Sequence, residues 1–197
     1  MASSEDSHAW VLEAVDLYEL PLLRYARRLL GDVDLAADAV QHAFVKLCGE
    51  TRQRLAGREA AWLFRVCRNR ALDQLRQAGR ERAAADPAGA HDATAAVADR
   101  GPDPAVSVER RELAARLRRL LAELPPPQRE AIDLWCEGFT HREIAEITGR
   151  QEGYVRVLTH RGLTALRRHP AIRDLLAAEP SADSPALAAA RRTPSPA

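Results

Sequence analysis

The chain has 197 residues, 46% apolar and 29% charged, with a net charge of +1, a soluble globular balance that allows one ordinary domain or two small ones. No apolar run approaches the ~20 residues of a membrane span, and the opening MASSEDSHAW is acidic where a secretion signal would be basic and then apolar, so a cytoplasmic protein without membrane insertion is expected. Cys48, Cys67 and Cys136 are widely spaced in helix-like surroundings, which argues against a disulfide framework or zinc knuckle and reads as three reduced packing residues.

The apolar share rests on Ala and Leu, which favours helices. Over residues 10–82, apolar side chains recur at helical spacing, as in Leu22, Leu23, Ala26, Leu29 and Leu30, then Ala36, Ala39, Val40, Ala43, Phe44 and Leu47. Three or four helices fit. Gly31 followed by Asp32 marks a stop and a new start, because glycine tolerates the left-handed cap and aspartate accepts from free N–H groups. A further helix begins near Glu59 and carries Trp62, Leu63, Val66, Cys67 and Ala71 on one side, with Trp62 read as core. Its other side is basic: Arg58, Arg65, Arg68, Arg70, Arg76, Arg80 and Arg82 stand against Glu59, Asp73 and Glu81.

Residues 83–107 change to Ala, Asp, Gly and Pro without an apolar face, the composition of a flexible linker. A second domain at 108–170 opens with Leu113, Leu117, Leu120, Leu121 and Leu124 in helical register and breaks at Pro125-Pro126-Pro127. Thr140-His141-Arg142-Glu143 has the form of a capping box. The helix it starts would turn Ile144, Ala145 and Ile147 inward and end at Thr148-Gly149, and Gln151 would open another helix through Val155, Leu158 and Leu163. Small Ala145, turn Gly149 and apolar Val155 fall where a helix-turn-helix needs a close crossing, a left-handed residue and a core contact. Since such a helix meets base edges with its N-terminal residues and phosphates with its flanks, Gln151, Glu152, Tyr154 and Arg156 are candidate readers, with Arg150 and Arg161 beside them. His141, His160 and His169 lack metal-ligand spacing and are assigned to the surface or to phosphate proximity. Residues 171–197 are Pro-, Ser- and Ala-rich and expected to be largely disordered.

Three blocks, taken together, resemble the extracytoplasmic-function (ECF) group of the sigma-70 family. They are Leu22-Leu23-Arg24-Tyr25-Ala26 with Gly31-Asp32, Asp38, Val40-Gln41 and Phe44; the run from Trp62 to Arg76; and Leu124 to Glu130 continuing through Gly138-Phe139-Thr140, Glu143-Ile144-Ala145, Gly149, Glu152-Gly153, Val155 and His160-Arg161. The resemblance covers most of residues 15–168. It implies an all-α protein of two small helical domains, sigma region 2 at 10–82 and sigma region 4 with the helix-turn-helix at 108–170, whose partners are core RNA polymerase, promoter DNA and, in the family's manner, an anti-sigma factor. Region 2 would contact the polymerase clamp through Asp38, Gln41 and Phe44. It would meet melted −10 DNA through Arg65, Arg68, Asn69, Asp73 and Arg76, with the loop at 49–58 supplying a pocket for an extruded base. Region 4 would read the −35 element through Arg150, Gln151, Glu152, Tyr154, Arg156, His160 and Arg161.

The chain departs from the family pattern at Ala37 and His42, where acidic residues are usual, at Arg150, usually apolar, and at Leu158, usually basic. The last change implies a lost phosphate or base contact. No nucleotide-binding glycine loop, catalytic triad or metal cluster can be assembled, so neither a cofactor, a metal nor an enzyme activity is expected. Two other readings stay open at this point: an autonomous helix-turn-helix regulator, and a sigma-like adaptor that does not initiate transcription. Limited proteolysis should cut first within residues 83–107; a resistant core running unbroken through Pro87 and Pro104 would refute the boundary.

Overall fold

In the computed structural model, which describes residues 4–85 and 108–173, every regular element is a helix, and no strand occurs among the described residues. The linker proper and the tail beyond residue 173 lie outside them. Region 2 comprises α1 (Ser4–Leu30), α2 (Val33–Leu47), α3 (Arg52–Leu55) and α4 (Glu59–Ala85). α1 ends where Gly31 takes φ 78°, and Asp32 caps α2 by accepting from the backbone N–H groups of Asp34 and Leu35 at 2.8 and 2.9 Å. The inward face of α2 is Ala36, Ala39, Val40, Ala43 and Leu47. Its alanines let α1 and α4 approach closely around Leu22, Tyr25, Leu63 and Phe64, all almost fully buried.

The single-turn α3, capped by Thr51 and ended by Ala56 at φ 48°, replaces the plain loop expected at 49–58. One turn with a single buried residue, Leu55, has no period that a sequence could display. Only one cysteine matches the packing assignment. Cys67 is fully buried, and burial pushes its thiol up to about 12. Cys48 caps α2 and Cys136 is the last residue of α6, and both are exposed because the helix ends that carry them lie at the surface.

Region 4 comprises α5 (Val108–Ala122), α6 (Pro126–Cys136), α7 (His141–Thr148) and α8 (Glu152–Arg168). The proline run that stops α5 also starts α6, since Pro126 and Pro127 occupy positions whose N–H would be unpaired anyway. Arg129 then reaches back to the carbonyls of Leu121, Ala122 and Leu124 at 3.0, 2.7 and 3.0 Å and satisfies the open end of α5.

The two regions are not separate bodies on a tether: their apolar residues form one cluster. Phe64 of α4 meets Phe139 edge-on with ring centroids 4.8 Å apart, and α7 packs along α4. Around this contact Tyr25 donates to Glu130 at 3.1 Å and Arg68 pairs with Glu130 at 2.6 Å. Farther out, Arg28 reaches Glu137 at 2.9 Å and Asp133 at 3.6 Å. Burial raises the Asp133 carboxyl above its usual range, against the pull of Arg28 and Arg129. Burial and the neighbouring Glu130 both push the Tyr25 hydroxyl well upward, so it stays a donor.

Gly162 of α8 sits where a Cβ would fall on Ile132 Cδ1 of α6. Gly162→Ala would gain about 1 kcal/mol of helix propensity but force Ile132 to move, an overpacking cost of about 1–3 kcal/mol. A net loss of stability in urea unfolding is expected, and a gain would show that the α6–α8 crossing yields freely.

Candidate nucleic-acid interface

The helix-turn-helix forms as its residues require. Thr140 accepts from the Glu143 N–H at 3.3 Å while Glu143 accepts from the Thr140 N–H at 2.8 Å, closing the capping box. Ile144, Ala145 and Ile147 point inward, and Gly149 ends α7 at φ 67° with its N–H on the Ala145 carbonyl. In α8 the buried side is Val155, Leu158, Thr159 and Gly162. Tyr154, Arg156, Val157, His160 and Arg161 face outward from the same helix, and Gln151, its N-cap, is exposed at its start. Arg156 is tethered at one end of this surface by an ion pair with Glu152, one turn earlier. Both side chains are well exposed, so the pair adds little stability and serves mainly to aim the guanidinium.

Two expected region 4 positions differ in placement. Leu158 is 5% exposed, on the helix face that packs against α6, so its apolar character fills core space and takes no contact from the outward surface. Arg150 lies after the turn with its guanidinium 3.0 Å from Glu130, largely covered. In this arrangement it is an internal ion-pair partner.

On α4, Arg65, Asn69, Asp73 and Arg76 are exposed and recur at spacings of four, four and three, which puts them along one side of the helix. Arg76 is paired with Asp73 at 2.7 Å. Arg68 is the covered member of this group: its side chain is only 12% exposed and is held by Glu130, which outweighs the burial that alone would lower its pKa and leaves it firmly charged. The exposed α4 residues line a crevice of about 490 Å³ whose opposite wall is Glu146, Ile147, Thr148 and Gly149. Beside it, Leu55, Arg58, Ala61, Trp62 and Arg65 line a smaller recess of about 160 Å³, again with Glu146 at its edge. Trp62 is thus half-buried at a recess next to α3 and not sealed in the core as its apolar stripe suggests; its neighbours Leu63 and Phe64 take the core positions.

The polymerase-facing candidates split in the same way. Gln41 is exposed on α2, whereas Phe44 leans on the core. Asp38 accepts from Arg70 at 2.8 Å and from Gln74 at 2.8 Å, so it fastens α2 to α4. Ala37 is exposed beside it and His42 half-buried.

The residue missed by sequence reasoning is Glu130. Pro127, Ala131 and Leu134 repeat at helical spacing, and Glu130 falls inside that stripe, a carboxylate where an apolar side chain belongs. That is the signal, since a buried carboxylate needs cations and donors around it. It has Arg68, Arg150 and Tyr25. Among the described residues no group of His, Cys, Asp or Glu could hold a metal, and no helix is long and apolar enough to cross a membrane.

Comparison with known proteins agrees with both halves of this description. Residues 14–81 match Sigma-70 region 2 and residues 114–166 match Sigma-70, region 4. The chain is 30% identical over 169 residues to the ECF RNA polymerase sigma factor SigW of Bacillus subtilis, covering 83% of this chain and 89% of SigW. It is 34% identical over 145 residues to the ECF RNA polymerase sigma factor SigE of Mycolicibacterium smegmatis, where the match covers 73% of this chain but spans only 55% of that protein. Among solved structures, the sigma factor RpoE of Bartonella quintana, crystallised in complex with the anti-sigma factor NepR, superposes with a TM-score of 0.58 at 25% identity, covering 85% of this chain and 97% of that one. With region 2 and region 4 both matched in order, and a relative aligned over nearly its full length, the chain belongs to the ECF sigma factors of the sigma-70 family.

Proposed function

We propose that the chain is a cytoplasmic RNA polymerase sigma factor that binds core polymerase, recognises −10 and −35 promoter elements and promotes melting, with no catalysis of its own. The observation that carries this reading is one chain bearing both a helix-turn-helix with an outward polar face on α8 and an arginine-rich helix, α4, beside a recess of about 160 Å³. α8 suits the major groove of duplex −35 DNA, with Gln151, Glu152, Tyr154 and Arg156 toward base edges and His160 and Arg161 toward the backbone. Arg65, Asn69, Asp73 and Arg76 suit a single strand, where guanidinium groups neutralise phosphates, and the recess between α3 and Trp62 offers a place for an unstacked base. Binding of unpaired bases offsets the loss of pairing, so opening needs no nucleotide hydrolysis. Gln41 and Asp38 on α2 provide the polymerase contact, and an anti-sigma factor is a fitting further partner. An autonomous repressor would leave the α2 and α4 features without a role.

Runoff transcription with purified core polymerase and the full chain tests the reading: start sites preceded by common −35 and −10 elements are expected, and no transcripts across a genomic template library would refute it. Within region 4, Arg156→Ala should cost about 1–3 kcal/mol and relax preference at one −35 position, because a guanidinium near the helix start can pair with a guanine edge. Arg161→Ala should weaken all sequences alike and lower the slope of log affinity against log salt by about 0.9, one phosphate's share. Competition across a randomised −35 library at two salt concentrations reads both effects, and identical sequence profiles for wild type and Arg156→Ala would reassign the reader.

A further inference from the structure

We infer that Gly153 and Val157 form a notch on α8 that reads the C5-methyl group of a pyrimidine in the −35 element. This rests on the reading of α8 as the −35 helix. With about 100° between successive residues of a helix, the buried Val155, Leu158, Thr159 and Gly162 centre on one side of α8, and Gly153 and Val157 fall on the side opposite. They are therefore the residues that a groove-bound α8 would carry deepest toward the bases. Neither brings a polar side chain.

Both are also residues for which the protein itself has little use. Gly153 weakens a helix relative to alanine, its backbone lacks the positive φ of Gly149, and a Cβ built on it would meet nothing within 4 Å. Neither conformation nor packing asks for glycine there. Gly162, on the buried side of the same helix, is the contrast, since a Cβ there would strike Ile132. Val157 is β-branched and so a weaker helix former, and it stays 41% exposed, which returns little burial. A lone exposed valine calls for no account. One set four residues after a glycine does, because helical side chains lean toward the N-terminus and Val157 consequently overhangs the space that Gly153 leaves empty. Tyr154, 50% exposed, borders that space on one side, and Arg156, drawn back to Glu152, borders it on the other.

The result is an apolar notch flanked by hydrogen-bonding groups. In the major groove a thymine presents an acceptor at O4 and a methyl group at C5, and an apolar surface is what complements the methyl. 5-Methylcytosine carries the same methyl beside a different hydrogen-bonding edge, so the notch takes either base. Methylating a cytosine at that position therefore strengthens promoter binding.

The test uses holoenzyme assembled from core polymerase and the full chain. A randomised −35 library first locates the positions at which wild type selects a base. Duplexes carrying thymine, uracil, cytosine or 5-methylcytosine at each of them, on either strand, then compete for the holoenzyme. At one position wild type should prefer thymine over uracil, and 5-methylcytosine over cytosine, by about fourfold, the factor for burying one methyl group. Val157→Ser should abolish both preferences. Gly153→Leu, which fills the notch with its own side chain, should do the same while thermal unfolding moves upward, a combination that a merely structural role for the glycine would not give. Equal affinity for methylated and unmethylated bases at every selected position of wild type, or wild-type preferences retained by either variant, would overturn the inference. A preference at thymine alone would strike out 5-methylcytosine as a ligand. A wild-type library without any enriched −35 element is a different failure, that of the sigma reading itself.

Discussion

A carboxylate removed from water is tolerated only where cations and donors replace its hydration, and the arrangement of this molecule follows from how Glu130 meets that demand. Arg150 supplies one cation from within region 4, and Arg68 and Tyr25 supply the remaining contacts from region 2. Replacing Glu130 itself by an apolar residue would leave both Arg68 and Arg150 without their anion, a loss of about 3–5 kcal/mol by the measure of a broken buried pair. Exposed pairs elsewhere, such as Arg76 with Asp73, contribute at most about 1 kcal/mol each. The aromatic contact of Phe64 with Phe139 supplies apolar burial at the same seam. Packing and charge therefore select the same relative placement of two domains that the chain connects only through residues 86–107.

Much of the fold was readable from residue spacing because its helices are ordinary ones. The α2 stripe, the Gly31 stop, the Thr140 capping box and the Gly149 turn each state a local rule in the sequence and obey it in the structure. What escaped depends on which residues meet across long separations. Glu130 and Tyr25 are 105 positions apart, and no period or motif records that they touch. The same holds for Asp38, read as a contact to the polymerase clamp and found bonded to Arg70 and Gln74, 32 and 36 residues downstream.

Family pattern also misled where it stood in for environment. Leu158 occupies a position that is usually basic, and from that pattern alone it reads as a missing contact to DNA. Its near-complete burial against the α6 side of region 4 makes it a packing residue, so the outward surface of α8 is set by its neighbours Tyr154, Val157 and Arg161. Arg150 is the converse case, a basic residue beside a recognition helix that is spent on an internal carboxylate. For both, the helical face on which the side chain lies decides its role.

The Asp38 contact has a mechanical corollary. Arg70 and Gln74 stand on α4 interleaved with Asn69 and Asp73, so the acid that fixes α2 to α4 also holds a guanidinium on the helix that faces the crevice. A cationic partner that drew Asp38 to itself would release Arg70 and leave α4 one positive charge richer. α4 would then attract phosphate more strongly once α2 was occupied, with no movement of the backbone: two binding events coupled by the reassignment of a single counter-ion.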